Sequence, residues 1–107
     1  MAINLDRDTY ESEVMGSKGL VLVDFWGPKC TPCLALMPAV EALEEKYAGK
    51  LKVTKVNATE NRMLCAKLRV LGLPTCILYK DGTEIRRLVG DGLTKNDIVE
   101  AIDATLE

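Results

Sequence analysis

Thiol–disulfide exchange needs a nucleophilic thiolate and a second thiol close enough to displace it. Cys30 and Cys33 supply that spacing within Trp26-Gly27-Pro28-Lys29-Cys30-Thr31-Pro32-Cys33. Ahead of them runs Leu20-Val21-Leu22-Val23-Asp24-Phe25-Trp26, a continuous apolar stretch that reads as a buried strand; behind them begins a helical pattern. Cys30 therefore precedes a helix's first turn, where unpaired N–H groups and the positive end of the dipole favour its thiolate, and Lys29 adds a cation. Cys33 falls inside that turn and is shielded. This assigns Cys30 as the attacker of a substrate disulfide and Cys33 as the thiol that resolves the mixed disulfide. Pro32 suits a first turn because its missing N–H has no partner to lose there. A zinc half-site or a static disulfide uses the same spacing, but the strand–motif–helix order favours redox chemistry.

The chain has no histidine, so acid–base work falls to Asp, Glu, Lys or the thiols. Asp24 stands out because an acid inside a buried strand has a raised pKa. Such a carboxyl is a candidate acceptor for the Cys33 proton, directly or through one water; the plainer reading is a structural polar residue satisfied by backbone and water.

The rest of the chain must place these groups. Its 107 residues suit a single domain, 1–107, and near-balanced charge, −2, gives no electrostatic reason for a nucleic-acid or anionic-membrane partner. No apolar run spans a membrane, and the N-terminal residues do not resemble a signal peptide, so a cytoplasmic protein is expected. Ile3 and Leu5 suggest a short strand, and Asp6 caps a helix through Met15. Leu34, Leu36, Met37, Val40, Leu43 and Tyr47 predict a helix over 33–48, closed by Gly49 and interrupted by Pro38. Strands over 51–57 and 75–80 flank a short helix over 61–68 whose apolar residues are Met63, Leu64 and Leu68. Asp81-Gly82 predicts a hairpin turn into an antiparallel strand over 84–89. Thr94 and Asp97 form a capping box for a last helix buried through Ile98, Ala101, Ile102 and Leu106. The order β-α-β-α-β-α-β-β-α predicts an α/β fold: a central mixed five-stranded sheet flanked by four helices.

With Val23-Asp24-Phe25-Trp26, Cys30-Thr31-Pro32-Cys33, Pro38, Lys55, Gly72-Leu73-Pro74-Thr75, Asp81-Gly82 and Val89-Gly90 in place, the chain resembles the thioredoxin family over essentially its whole length. The resemblance implies the thioredoxin fold and a monomeric protein-disulfide reductase. It has no bound cofactor, cycles a redox-active Cys30–Cys33 disulfide, and is recharged by a thioredoxin reductase-type donor to serve disulfide-containing clients. It implies that Lys55, on a neighbouring strand, partners Asp24. It also implies a cis bond before Pro74 and a shallow client groove made by Trp26, Gly72, Leu73, Pro74, Val89 and Gly90, with Leu73 offering its backbone to an extended segment.

The chain departs from the family's usual Trp-Cys-Gly-Pro-Cys-Lys. Lys29 replaces the tryptophan, Thr31 the glycine, and Leu34 the lysine. A charge gained and an aromatic lost beside Cys30 suggest a non-standard electron donor or a restricted client set. Cys65 and Cys76 are expected to be buried apolar residues; regulation by oxidation or mutual pairing is the alternative. Against the reductase stand a four-cysteine zinc or iron–sulfur protein, a non-catalytic interaction module and a secreted oxidant. The cysteine spacing fits no common cluster motif, and the intact pair argues against a non-catalytic role.

Overall fold

A run of Val, Leu and Phe without polar alternation has to be covered on both faces. In the computed structural model, which describes residues 2–107, that run is β2 (Leu20–Trp26), the central strand of a mixed sheet. The others are β1 (Ile3–Leu5), β3 (Leu51–Asn57), β4 (Thr75–Lys80) and β5 (Thr83–Val89), in the order β1-β3-β2-β4-β5. β1 and β2 run parallel to β3, whereas β4 is antiparallel to both β2 and β5. A π-helix (Glu11–Met15) and three α-helices, α1 (Thr31–Lys46), α2 (Arg62–Leu68) and α3 (Lys95–Leu106), complete the predicted four.

Strand alternation divides the core. Val21, Val23 and Phe25 point to one face with Tyr10, Val14, Leu64 and Cys65; Leu20 and Leu22 point to the other with Leu36, Val40, Leu43, Ile98 and Ile102. Asp24 shares parity with Leu20 and Leu22, and so lies on the face that α1 and α3 cover.

Several boundaries differ from the sequence reading. The stretch after Asp6 is not one regular helix. Asp6 Oδ1 first accepts the Asp8 and Thr9 N–H groups, fixing a turn, and the π-helix then closes with Gly16 N–H donating to Glu11 O at 2.8 Å. Tyr10 and Val14 are still buried together. α1 begins at Thr31 rather than 33 because the Cys30 side chain caps it, and it ends at Lys46, leaving Gly49 (φ +80°) in the turn beyond. Leu34, 45% exposed, lies about 100° around the helix from Cys33 and off the stripe formed by Cys33, Leu36, Val40 and Leu43. Leu106, expected in the buried stripe of the last helix, is exposed, and so is the apolar Met63.

The β4–β5 turn has Asp81 at φ 51° and Gly82 at φ 83°, the left-handed pair that matches the twist of a two-residue hairpin. It is stitched to the start of β2: Gly19 N–H donates to Asp81 Oδ1 at 2.7 Å, and Asp81 N–H donates to Gly19 O at 3.0 Å. A methyl group on Gly82 would collide with the Met15 carbonyl. Gly82→Ala combines that clash with an unfavourable φ, and chemical denaturation should show a loss of about 1–3 kcal/mol. An unchanged midpoint would contradict this packing.

Candidate functional site

The carboxyl end of β2 runs into a turn in which Cys30 N–H donates to Gly27 O at 3.1 Å. Cys30 is then the N-cap of α1: its carbonyl accepts from Leu34 N–H at 3.0 Å, and its Sγ accepts from Cys33 N–H at 3.2 Å. A capping position normally held by a hydroxyl or carboxylate oxygen is held here by sulfur, so one of the helix's unpaired donors is aimed at Cys30. The same polarity stabilises negative charge on that sulfur when it is a thiolate. Cys30 and Cys33 are joined by a disulfide, with Cα atoms 5.2 Å apart. The structure is therefore the oxidised state. Cys30 is half-buried and Cys33 has no exposed surface, an asymmetry that separates the two sulfurs chemically. Pro32 stands in the first turn, and Lys29 is exposed beside Cys30.

Asp24 is fully buried one face over, level with Lys55 on β3 and with Cys76 on β4. Burial raises its pKa to about 6, against the opposing pull of the Cys76 hydrogen bond and the Lys55 charge. The expected Asp24–Lys55 pairing is not a contact. Lys55 Nζ instead forms an ion pair with Glu41 Oε2 on α1 at 2.7 Å and lies 3.9 Å from Met37 Sδ. An extended lysine on this face reaches the helix packed above it, where a more exposed carboxylate is cheaper to ionise than Asp24. The donor to Asp24 is Cys76, whose Sγ lies 3.7 Å from Oδ1. Among the described residues, Asp24 Oδ2 and Trp26 Nε1 are buried without hydrogen-bond partners.

The Leu73–Pro74 bond is cis. The Gly72–Thr75 turn is held by Thr75 Oγ1 donating to Gly72 O at 2.6 Å and Gly90 N–H donating to Pro74 O at 3.1 Å. Leu73 and Cys30 both border Gly27: a Cβ there would sit 3.3 Å from Leu73 Cδ1 and 4.0 Å from Cys30 Cβ. An open cavity of about 380 Å³ lies there, lined by Gly27, Pro28, Lys29, Cys30, Thr59, Arg62 and Leu73. It adjoins a second cavity, about 450 Å³, with which it shares Thr59, Arg62 and Leu73, and which Gly72 and Leu71 also line. Trp26, Pro74, Val89 and Gly90 line neither cavity; Val89 pairs with Thr75 and is 58% exposed. Thr59 and Arg62 had no signal in the sequence, because only the fold brings the loop after β3 beside Cys30.

Cys65 and Cys76 are buried free thiols in the two core halves, on opposite faces of the sheet, which rules out their mutual pairing. Among the described residues, no group of three or more His, Cys, Asp or Glu side chains is arranged to hold a metal ion.

The thioredoxin family model matches residues 1–104. The chain belongs to the thioredoxin family. Among its relatives, a thioredoxin of Acetoanaerobium sticklandii is 47% identical over 97 residues, covering 91% of this chain and 88% of that protein. A thioredoxin of Peptoclostridium acidaminophilum is 40% identical, covering 92% and 89%. Thioredoxin 1 of a Nostoc species is 37% identical, covering 83% of each chain. Thioredoxins are protein-disulfide oxidoreductases, and this one carries the required Cys-x-x-Cys pair at disulfide distance. Its function is dithiol-based disulfide reduction, which favours the reductase over the metal-protein and interaction-module alternatives. Membership in the thioredoxin family implies a reductase that supplies electrons and disulfide-bearing client proteins that receive them.

Proposed function

We propose that residues 1–107 act as one thioredoxin domain in which Cys30 is the nucleophile, Cys33 the resolving thiol and Asp24 the proton acceptor for Cys33. The Cys30 thiolate attacks a client disulfide, forming a mixed disulfide and releasing one client thiolate. Asp24 takes the Cys33 proton, directly or through one water, and the Cys33 thiolate then attacks Cys30 Sγ. The second client sulfur leaves, and the Cys30–Cys33 disulfide remains. Two electrons have passed to the client, and an external reductase returns them to the protein.

The observation that carries this assignment is the Cys33 N–H aimed at Cys30 Sγ, with Cys30 accessible and Cys33 buried. Brief alkylation of the reduced protein at neutral pH tests it. Peptide mapping should find the label on Cys30, and preferential labelling of Cys33 would reverse the roles.

The setting proposed is cytoplasmic, where small dithiol carriers are kept reduced, and the protein works as a monomer without a bound cofactor. No helix is long and apolar enough to cross a membrane among the described residues. Leu73, in the cavity beside Cys30, and Gly72, in the adjoining one, receive an extended client segment, with Trp26, Pro74, Val89 and Gly90 shaping the surrounding surface.

Lys29 and Arg62 are the charged residues lining the Cys30 cavity. That charge supports a donor and clients selected for acidic residues near their disulfides, and hence a non-standard reductase. A Lys29→Glu/Arg62→Glu variant should lose roughly fivefold in kcat/KM toward disulfide peptides flanked by Asp or Glu, relative to Lys-flanked ones, at low salt. Equal losses for both peptide sets would show that the charges do not select.

A further inference from the structure

A buried base is useful only if one of its oxygens is free to take a proton, and the surroundings of Asp24 divide its two oxygens. Oδ1 accepts from Cys76 Sγ at 3.7 Å, whereas Oδ2 has no hydrogen-bond partner among the described residues. Asp24 and Cys76 are directly opposed in the antiparallel β2–β4 pairing, at 0% and 1% exposure, so neither side chain can turn to solvent. The other groups on this face do not replace Cys76. From β3, Lys55 gives its ammonium to Glu41. From α1, Glu41 brings negative charge and Cys33 is tied up in the disulfide. Trp26, two residues along the same face of β2, leaves its indole N–H unpaired.

We propose that Cys76 is a positioning residue for the reductase reaction: its S–H fixes Asp24 through Oδ1 and leaves Oδ2 as the oxygen that takes the Cys33 proton. The proposal rests on the reading of Asp24 as the proton acceptor. The transfer converts Cys33–SH and Asp24–COO⁻ into Cys33–S⁻ and Asp24–COOH, with no further reactant. The thiol suits the task because it is a weak donor. An ammonium in its place would hold the carboxylate firmly ionised and make it a poor base, while an apolar side chain would leave both oxygens bare and the carboxylate costlier still. Burial, reinforced by the Asp24 charge, pushes the Cys76 thiol well above its usual range, so it keeps its proton and remains a donor.

The test compares Cys76→Val, which removes the donor, with Cys76→Ser, which supplies a stronger one; Cys76→Ala serves if the valine variant does not fold. The titration midpoint of Asp24 is read by carboxyl ¹³C NMR in the oxidised protein, where Cys30 and Cys33 do not titrate. The proposal predicts opposite shifts: upward by about half a pH unit or more without a donor, downward with the hydroxyl. In the reduced protein, the acidic limb of the disulfide-reduction pH profile should move the same way in each variant. Unmoved midpoints, or equal shifts in the same direction for Val and Ser, would reduce Cys76 to space-filling and overturn the proposal. Midpoints that shift while the pH profile stays fixed would leave the tether standing and overturn Asp24 as acceptor, and with it the catalytic part of the proposal.

Discussion

Replacing Asp24 with Asn should make the protein more stable at pH 7 and slower as a reductase. The two effects have one origin. Asp24 is fully buried, with a pKa of about 6 against an ordinary 3.8, so folding favours its protonated form. Below about pH 3, Asp24 is neutral in both folded and unfolded chains and incurs no ionic penalty. As pH rises toward 6 the unfolded chain ionises first, and stability falls. Above about pH 6 the loss is constant, at roughly 3 kcal/mol for a shift of this size. Asn carries no charge but leaves amide groups to be satisfied, so the expected net gain at pH 7 is roughly 1–3 kcal/mol, vanishing toward about pH 3. Urea denaturation at the two pH values measures it. The same substitution removes the proposed proton acceptor, and resolution of the mixed disulfide should slow by about 10²-fold or more, with loss of the acidic limb near pH 6. Stabilisation without slowing would assign Asp24 a purely structural burden.

The cysteine substitutions should fail in different ways. Cys30→Ser should lose all turnover in dithiol-driven reduction of insulin, because no thiolate remains at the helix N-terminus to open the client disulfide. Cys33→Ser should also lose turnover, yet consume one equivalent of client and stop, because the first exchange proceeds and the second has no nucleophile. Neither variant should unfold the protein, since the sulfurs lie at the edge of α1 and the two core halves are built from other residues. A Cys30→Ser protein that still forms client adducts would move the nucleophile elsewhere.

Much of the frame is readable in the residues. β2, β3 and β4 fall at their predicted bounds; for β2 and β4 the reason is plain, since Gly27 ends one apolar run and Pro74 and Asp81-Gly82 bracket the other. Asp81-Gly82 carries its geometry in a pair that tolerates positive φ, and the Thr94/Asp97 capping box in its side chains; both hydrogen bonds of the box are formed. The start of α1 is harder to read, because a cysteine in the cap position is not a helix-start signal. The N-terminal helix is harder still, because Asp6 satisfies a local turn before a regular helix can begin.

The site is legible as chemistry and not as pairing. Cys30, Cys33 and Asp24 are the proposed site residues that type, spacing and an apolar setting single out. The partner of Asp24 does not, because choosing between Lys55 and Cys76 requires both strand registers and the position of Glu41 on the helix above. Both residues sit level with Asp24, and only the three-dimensional arrangement shows that the cation is already paired. Arg62 is likewise ordinary as a helix residue and becomes part of the Cys30 surroundings through the loop after β3.

The most direct test of the central claim is to trap the reaction halfway. Cys33→Ser, reduced and mixed with a single-disulfide client, should accumulate a covalent adduct, and mass mapping should place the link at Cys30. An adduct through Cys65 or Cys76, or none at all while the client is still reduced, would contradict the account.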